Sequence, residues 1–199
     1  CAPVMRDAQH KMSKRYGDPS YEDLIAEGYL SEAVVNYVAL LGWSPGGERE
    51  IYALPELVDI FDLKGISKSP AVFDPVKLRW MNGEYIKAMA PDAFYEAAEP
   101  YLRQAVKNPA IDLRAVAALV QSRCEVLTDL AERVDFLDAV PDYDAQLYVH
   151  KKSKSTLESA LDALRSALPV LEALETWDND SLFAALAALA AEKGVKNAI

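Results

Sequence analysis

Residues 10 to 18, His-Lys-Met-Ser-Lys-Arg-Tyr-Gly-Asp, pack four cationic or cation-capable side chains around one serine and then turn on a glycine. Lys11 and Lys14 stand three apart on a stretch that Gly17 keeps mobile, and together with Ser13 they can close over a triphosphate. An ammonium about 4 Å from a phosphoryl oxygen is worth roughly 4 kcal/mol at an effective dielectric near 20. Such a contact accelerates a reaction only if it strengthens as charge develops on the leaving group. The plainer alternative is a solvated basic face, since short Lys-x-Ser-Lys patterns occur by chance on many surfaces.

The elements that must carry this loop are helical. Ser31 can cap a helix in which Val34, Val35, Val38 and Leu41 share a face and which ends at Gly42. Residues 44–48 form a loop, and Pro55 suits a first helical turn. Asp74 followed by Pro75 starts a helix on which Leu78, Met81 and Tyr85 line one stripe, with Lys77, Trp80 and Glu84 on the stripe beside it. From Pro91 onward helical periodicity continues through 91–106 and 112–137, where Leu113, Val116, Val120, Cys124 and Leu127 share a face. Ser155 and Glu158 form a capping box for a helix that Pro169 should kink or break, and Ser181 opens a last alanine-rich helix ending at Gly194. Strand signals are few, none precedes the opening loop, and the fold class expected is mainly α.

Composition bounds the function. A chain of 199 residues with a formal charge of −10 is acidic overall, which argues against wholesale coating by nucleic acid. The cations fall in islands: Arg6 to Arg15, Lys64 to Lys87, and Lys151, Lys152 and Lys154. Islands suit a ligand touched at a few defined places, although ordinary solvated faces read the same way. The longest uncharged apolar stretch, 182–191, is far short of the roughly 20 residues of a membrane span, and no signal peptide is evident. Cys1 and Cys124 make no disulfide framework, and with only His10 and His150 beside them no metal site is expected. A reduced, cytoplasmic setting follows.

Larger blocks of sequence narrow the field. Residues 5–45, which hold Lys-Met-Ser-Lys-Arg and Gly-Trp-Ser-Pro, then Phe-Asp-x-x-Lys-Leu-x-Trp-Met-Asn at 73–82, and on to the C-terminus, resemble the glutamyl-tRNA synthetase family of class I aminoacyl-tRNA synthetases, the bacterial enzymes in particular. The resemblance implies a division into 1–21, the end of a catalytic domain with its signature loop; 22–90, a helical stem-contact domain; and 91–199, an all-helical, cage-like anticodon-binding domain, incomplete at its C-terminus. It implies that Lys14 and Ser13 bind ATP, with Lys11 beside them as a second catalytic lysine. Ser67, Lys77 and Trp80 match positions that touch tRNA backbone, and Arg123 matches an arginine that reads the third anticodon base. Trp80 reads equally well as a packing residue, and Arg123 as an arginine snorkelling from an amphipathic helix.

The implied activity of the full enzyme is ligation of glutamate to its tRNA through a glutamyl adenylate, using ATP and Mg. The family's second signature, His-x-Gly-His, cannot be supplied by two histidines 140 positions apart. No strand–glycine–helix pattern for nucleotide binding occurs. The chain is therefore expected to be a fragment that is inactive alone and holds no tightly bound cofactor, with glutamate-specific tRNA as its partner and no membrane.

Overall fold

A computed structural model describes residues 3–140 and 142–195; Cys1 lies outside them. Two two-residue strands, β1 (Val4–Met5) and β2 (Ala71–Val72), pair in parallel with Val4 opposite Ala71. A strand therefore does precede the basic loop. It went unforeseen because two residues carry no alternation to read, and its partner lies far along the chain.

Between the strands run α1 (Tyr21–Ala26), α2 (Ser31–Gly42) and α3 (Leu54–Ile60), and after them come α4 (Pro75–Ala88), α5 (Pro91–Ala105), α6 (Leu113–Val120) and α7 (Asp129–Val134). Local chemistry sets most of the boundaries. Ser20 and Asp23 cap α1 reciprocally, Pro55 sits in the first turn of α3, and the Asp74 carboxylate accepts from Val76 and Lys77 N–H at the start of α4. The start of α2 differs from expectation. Leu30 is the capping residue, its N–H held at 2.8 Å by the Asn82 side chain, while Ser31 is already helical and its hydroxyl pairs with that of Tyr21. The expected apolar face of α2 also divides: Val34 is buried, but Val35 and Val38 are exposed. With Val4, Met12, Leu24 and Phe73 they line an open concavity of about 360 Å³.

Residues 112–137 are not one long helical run. α6 stops at Val120, a 3₁₀ turn covers Gln121–Arg123, Cys124 is extended, and α7 begins only at Asp129. Tertiary hydrogen bonds replace the helical ones: Asn82 donates to Glu125 O at 2.6 Å, and Leu127 N–H donates to Gly28 O at 3.1 Å. The apolar spacing survives the break because Cys124, Val126, Leu127 and Leu130 are all still buried.

Two apolar cores meet at α4. Leu78 and Met81 pack with Leu24, Val34 and Tyr37, whereas Ile86 packs with Phe94, Ala98, Leu102 and Leu130. Two buried amides are fully engaged. Asn36 accepts from Tyr52 N–H and the Tyr85 hydroxyl, each at 2.7 Å, and donates to Glu50 O at 3.0 Å; Asn82 is bonded as described above. Satisfied buried amides fix a unique arrangement, because each misplacement would strand a polar group away from water.

Residues 142–195 form a second unit, taken by itself. A 3₁₀ turn at Ala145–Tyr148 precedes α8 (Leu157–Glu172) and α9 (Asn179–Glu192). The capping box of α8 is Thr156 with Ser159, one residue later than expected, because Ser155 is drawn back to Tyr148 O and His150 N–H. Pro169 does not break α8, which runs to Glu172. Asp178 rather than Ser181 caps α9, and Gly194, at φ +66°, follows its end as expected. Leu157, Leu161, Leu164 and Leu168 form an exposed stripe along α8. No helix is long and apolar enough to cross a membrane among the described residues.

Candidate functional site

The basic loop is a built turn. Met12 N–H donates to Val4 O at 3.1 Å, and Lys11 bridges back to Met5, so β1 sets the start of the loop. Ser13 N–H donates to Asp18 at 2.7 Å, and the Ser13 hydroxyl caps a 3₁₀ turn over Lys14–Tyr16 by accepting from Arg15 N–H. Gly17, at φ +80°, closes that turn with its N–H on Lys14 O at 3.1 Å.

Most nearby acids are spoken for. Asp7 accepts from Gln9 and His10 N–H, which hold its carboxyl down at about 2, and Asp18 faces Arg6 at 3.8 Å. Asp23 lies below the usual carboxylate range through its hydrogen bonds to Ser20, with a smaller attraction from Lys14. Lys11, Lys14 and Arg15 are exposed, and none has an ion-pair partner among the described residues. Two ammoniums and a serine within four residues of one loop suit the oxygens of a phosphate chain. Among the described residues no group of three His, Cys, Asp or Glu side chains is placed to hold a metal ion.

The faces of α4 divide three ways at about 100° per residue. Leu78, Met81 and Tyr85 face α2, while Arg79, Asn82, Gly83 and Ile86 face the segment after α6. Lys77, Trp80 and Glu84 lie on the third side. The Lys77 ammonium is paired with Glu50, so a phosphate would have to displace that carboxylate. Trp80 is 44% exposed, and its indole N–H has no partner among the described residues. Ser67 sits apart in the loop before β2, its N–H on Gly42 O at 2.9 Å and its hydroxyl turned onto Ser69.

Arg123 ends the 3₁₀ turn after α6, not a helix face, and it is exposed with no ion-pair partner among the described residues. It borders a concavity of about 400 Å³ with Leu119, Val120, Arg133 and Phe136. Phe136 and Leu119 are 56% and 71% exposed. Two guanidiniums beside an open aromatic face can meet a flat, hydrogen-bonding ring next to a phosphate. Arg133 and Phe136 were not anticipated; their spacing from Arg123 carries no periodic signal once the helix breaks. The structure carries Lys11, Ser13 and Lys14 on one loop and Lys77 and Trp80 on one side of α4, with Ser67 in the loop before β2 and Arg123 in the turn after α6.

Residues 93–199 match the family profile described as "Anticodon binding domain". The chain belongs to this family. Residues 3–80 match a second profile, "tRNA synthetases class I (E and Q), catalytic domain". Across the whole length, the chain is similar to the glutamate–tRNA ligase of Clostridium botulinum (49% identity over 199 residues, covering 99% of this chain and 41% of the relative) and to that of Clostridium acetobutylicum (48%, covering 100% and 41%). The ligase of Clostridium tetani is 44% identical with the same coverage as the latter.

Among solved structures, a glutamate tRNA ligase from Elizabethkingia meningosepticum, crystallised in complex with its amino acid, superposes with a TM-score of 0.76 at 25% identity, covering 98% of this chain and 42% of that one. The glutamate-tRNA synthetase of Elizabethkingia anophelis, at TM-score 0.74, 23% identity and coverage of 98% and 41%, supports the fold. The resemblance to glutamyl-tRNA synthetases thus holds over the whole chain, in a mainly helical anticodon-binding family member. The chain spans about 41% of the length of the curated relatives it matches.

Proposed function

We propose that this chain is the tRNA-recognising part of a glutamate–tRNA ligase, a cytoplasmic enzyme that joins glutamate to its tRNA through an ATP-derived adenylate. The observation that carries this reading is identity of 44–49% to glutamate–tRNA ligases along all 199 residues. By role, 1–21 supplies the phosphate-binding loop, 22–90 contacts the tRNA stem, and 91–199 reads the anticodon. Lys14 and Ser13 would take phosphate oxygens of ATP, with Lys11 neutralising the charge that grows on departing pyrophosphate. Mg²⁺ would arrive on the triphosphate. Ser67, Lys77 and Trp80 would meet tRNA backbone, and Arg123 the third anticodon base.

Binding of a glutamate-specific tRNA transcript by the 199-residue chain tests this. Affinity should fall with rising salt, and Lys77→Ala should weaken binding while flattening the salt dependence by about one phosphate contact. Arg123→Gln should weaken the cognate transcript by roughly 5-fold or more and spare one altered at the third anticodon base. The chain alone should show no ATP–pyrophosphate exchange. Undetectable or salt-insensitive tRNA binding would overturn the reading in favour of a helical scaffold for protein partners.

A further inference from the structure

The turn that presents Arg123 is fastened to α4 on both sides of the arginine. Before it, the Gln121 side chain donates to two carbonyls at the end of α4, Ile86 O at 3.0 Å, which also accepts Met89 N–H, and Met89 O at 2.9 Å. After it, Asn82 of α4 donates to Glu125 O at 2.6 Å. The Glu125 carboxylate accepts from Arg79 Nε at 2.8 Å, and the same guanidinium reaches Asp129 in the first turn of α7. Gly83 lies directly against this segment: a Cβ there would stand 3.3 Å from Glu125 Cγ and 3.4 Å from its Cα. Cys124, between the two anchors, is fully buried. Arg123, the one charged residue of the turn, is exposed and has no ion-pair partner among the described residues.

Half-exposed ion pairs contribute little to stability, and Arg79 is 40% exposed. A single guanidinium that ties two separate segments to one helix fixes geometry instead. We propose that Arg79, together with Gln121, is a positioning residue for anticodon reading: it holds the 121–125 segment against α4, so that Arg123 stands at a set place relative to Lys77 and Trp80 on the same helix. This rests on the reading of Arg123 as an anticodon contact. A long, bent RNA touched at two places needs those places at fixed separation, and α4 is the element that carries one and anchors the other.

The test compares binding of two transcripts by the 199-residue chain, one with cytosine and one with guanine as third anticodon base. Arg79→Ala should lower the preference for cytosine by roughly 5-fold, a part of what one base contact supplies. The salt dependence should stay unchanged, since Arg79 meets no phosphate. Arg79→Lys should restore little, because a point charge cannot span Glu125 and Asp129 together. If Arg79→Ala loses its folded near-ultraviolet dichroism, Glu125→Gln, which weakens one arm and keeps Asp129, carries the same expectation. Full preference in the folded variant, alongside its loss in Arg123→Ala, would overturn the positioning role alone. No preference in the unmodified chain, or none lost in Arg123→Ala, would remove the reading of Arg123 and the positioning role with it.

Discussion

Lys77 shows how a side chain proposed to meet a ligand can already be occupied. Its ammonium is paired with Glu50, whose backbone is in turn held by the buried Asn36. A phosphate must compete with that carboxylate, and removing the competitor should help. Glu50→Gln is expected to tighten tRNA binding by about 2- to 5-fold, the scale of a surface ion pair, in a titration at low salt. Cys124 is the opposite case, a reactive group made inert. Burial pushes its thiol up to about 12, and its Sγ–H points to Val126 O at 3.3 Å. In a Cys1→Ser chain at pH 8, a thiol reagent should react at a rate set by opening of the fold, and should be consumed at once after urea is added. Prompt labelling of the folded chain would contradict this burial.

At the scale of elements, the approach of the 124–128 segment depends on one backbone position. Gly28 has φ +91°, and a Cβ there would lie 2.9 Å from Thr128 N. Gly28→Ala should therefore destabilise the fold by about 1–3 kcal/mol in urea titration, from left-handed strain plus the displaced strand of chain. Elements governed by their own neighbours were legible in the sequence: Asp74-Pro75 opens α4, Pro55 opens α3, and Gly194 follows α9. Elements governed by distant residues were not. Leu113 to Leu127 keep helical spacing while Asn82 and Gly28 claim the backbone hydrogen bonds that would continue the helix. The same division holds for the site. Lys11, Ser13 and Lys14 are near neighbours in sequence and so were visible, whereas Arg133 and Phe136 come to border Arg123, and Arg79 and Gln121 to tie its segment to α4, only through folding.

For the whole molecule, acid is the natural stress. Asp7 is held at about 2 against an ordinary 3.8 by backbone N–H groups of Gln9 and His10. Glu56 is lowered by Arg49, and Asp138 by the backbone of Asn108 and Lys107. Folded carboxyls with depressed values bind fewer protons than the unfolded chain, so this stability is complete above the ordinary carboxylate range. It should be lost as pH falls from about 4.5 towards 2, and urea midpoints measured across that window should decline steadily; a flat profile would contradict it.

One feature of the fold reaches further, the commitment of α4 to two cores. Substitutions on the sides bearing Leu78, Met81, Asn82, Gly83 or Ile86 are punished by misfolding whatever the protein does. Lys77, Trp80 and Glu84 are under no such demand. In a library of variants sorted first for solubility and then for growth dependent on the full-length enzyme, this open side should drift freely in the first sort. Any intolerance appearing there in the second would be the imprint of the proposed RNA contact.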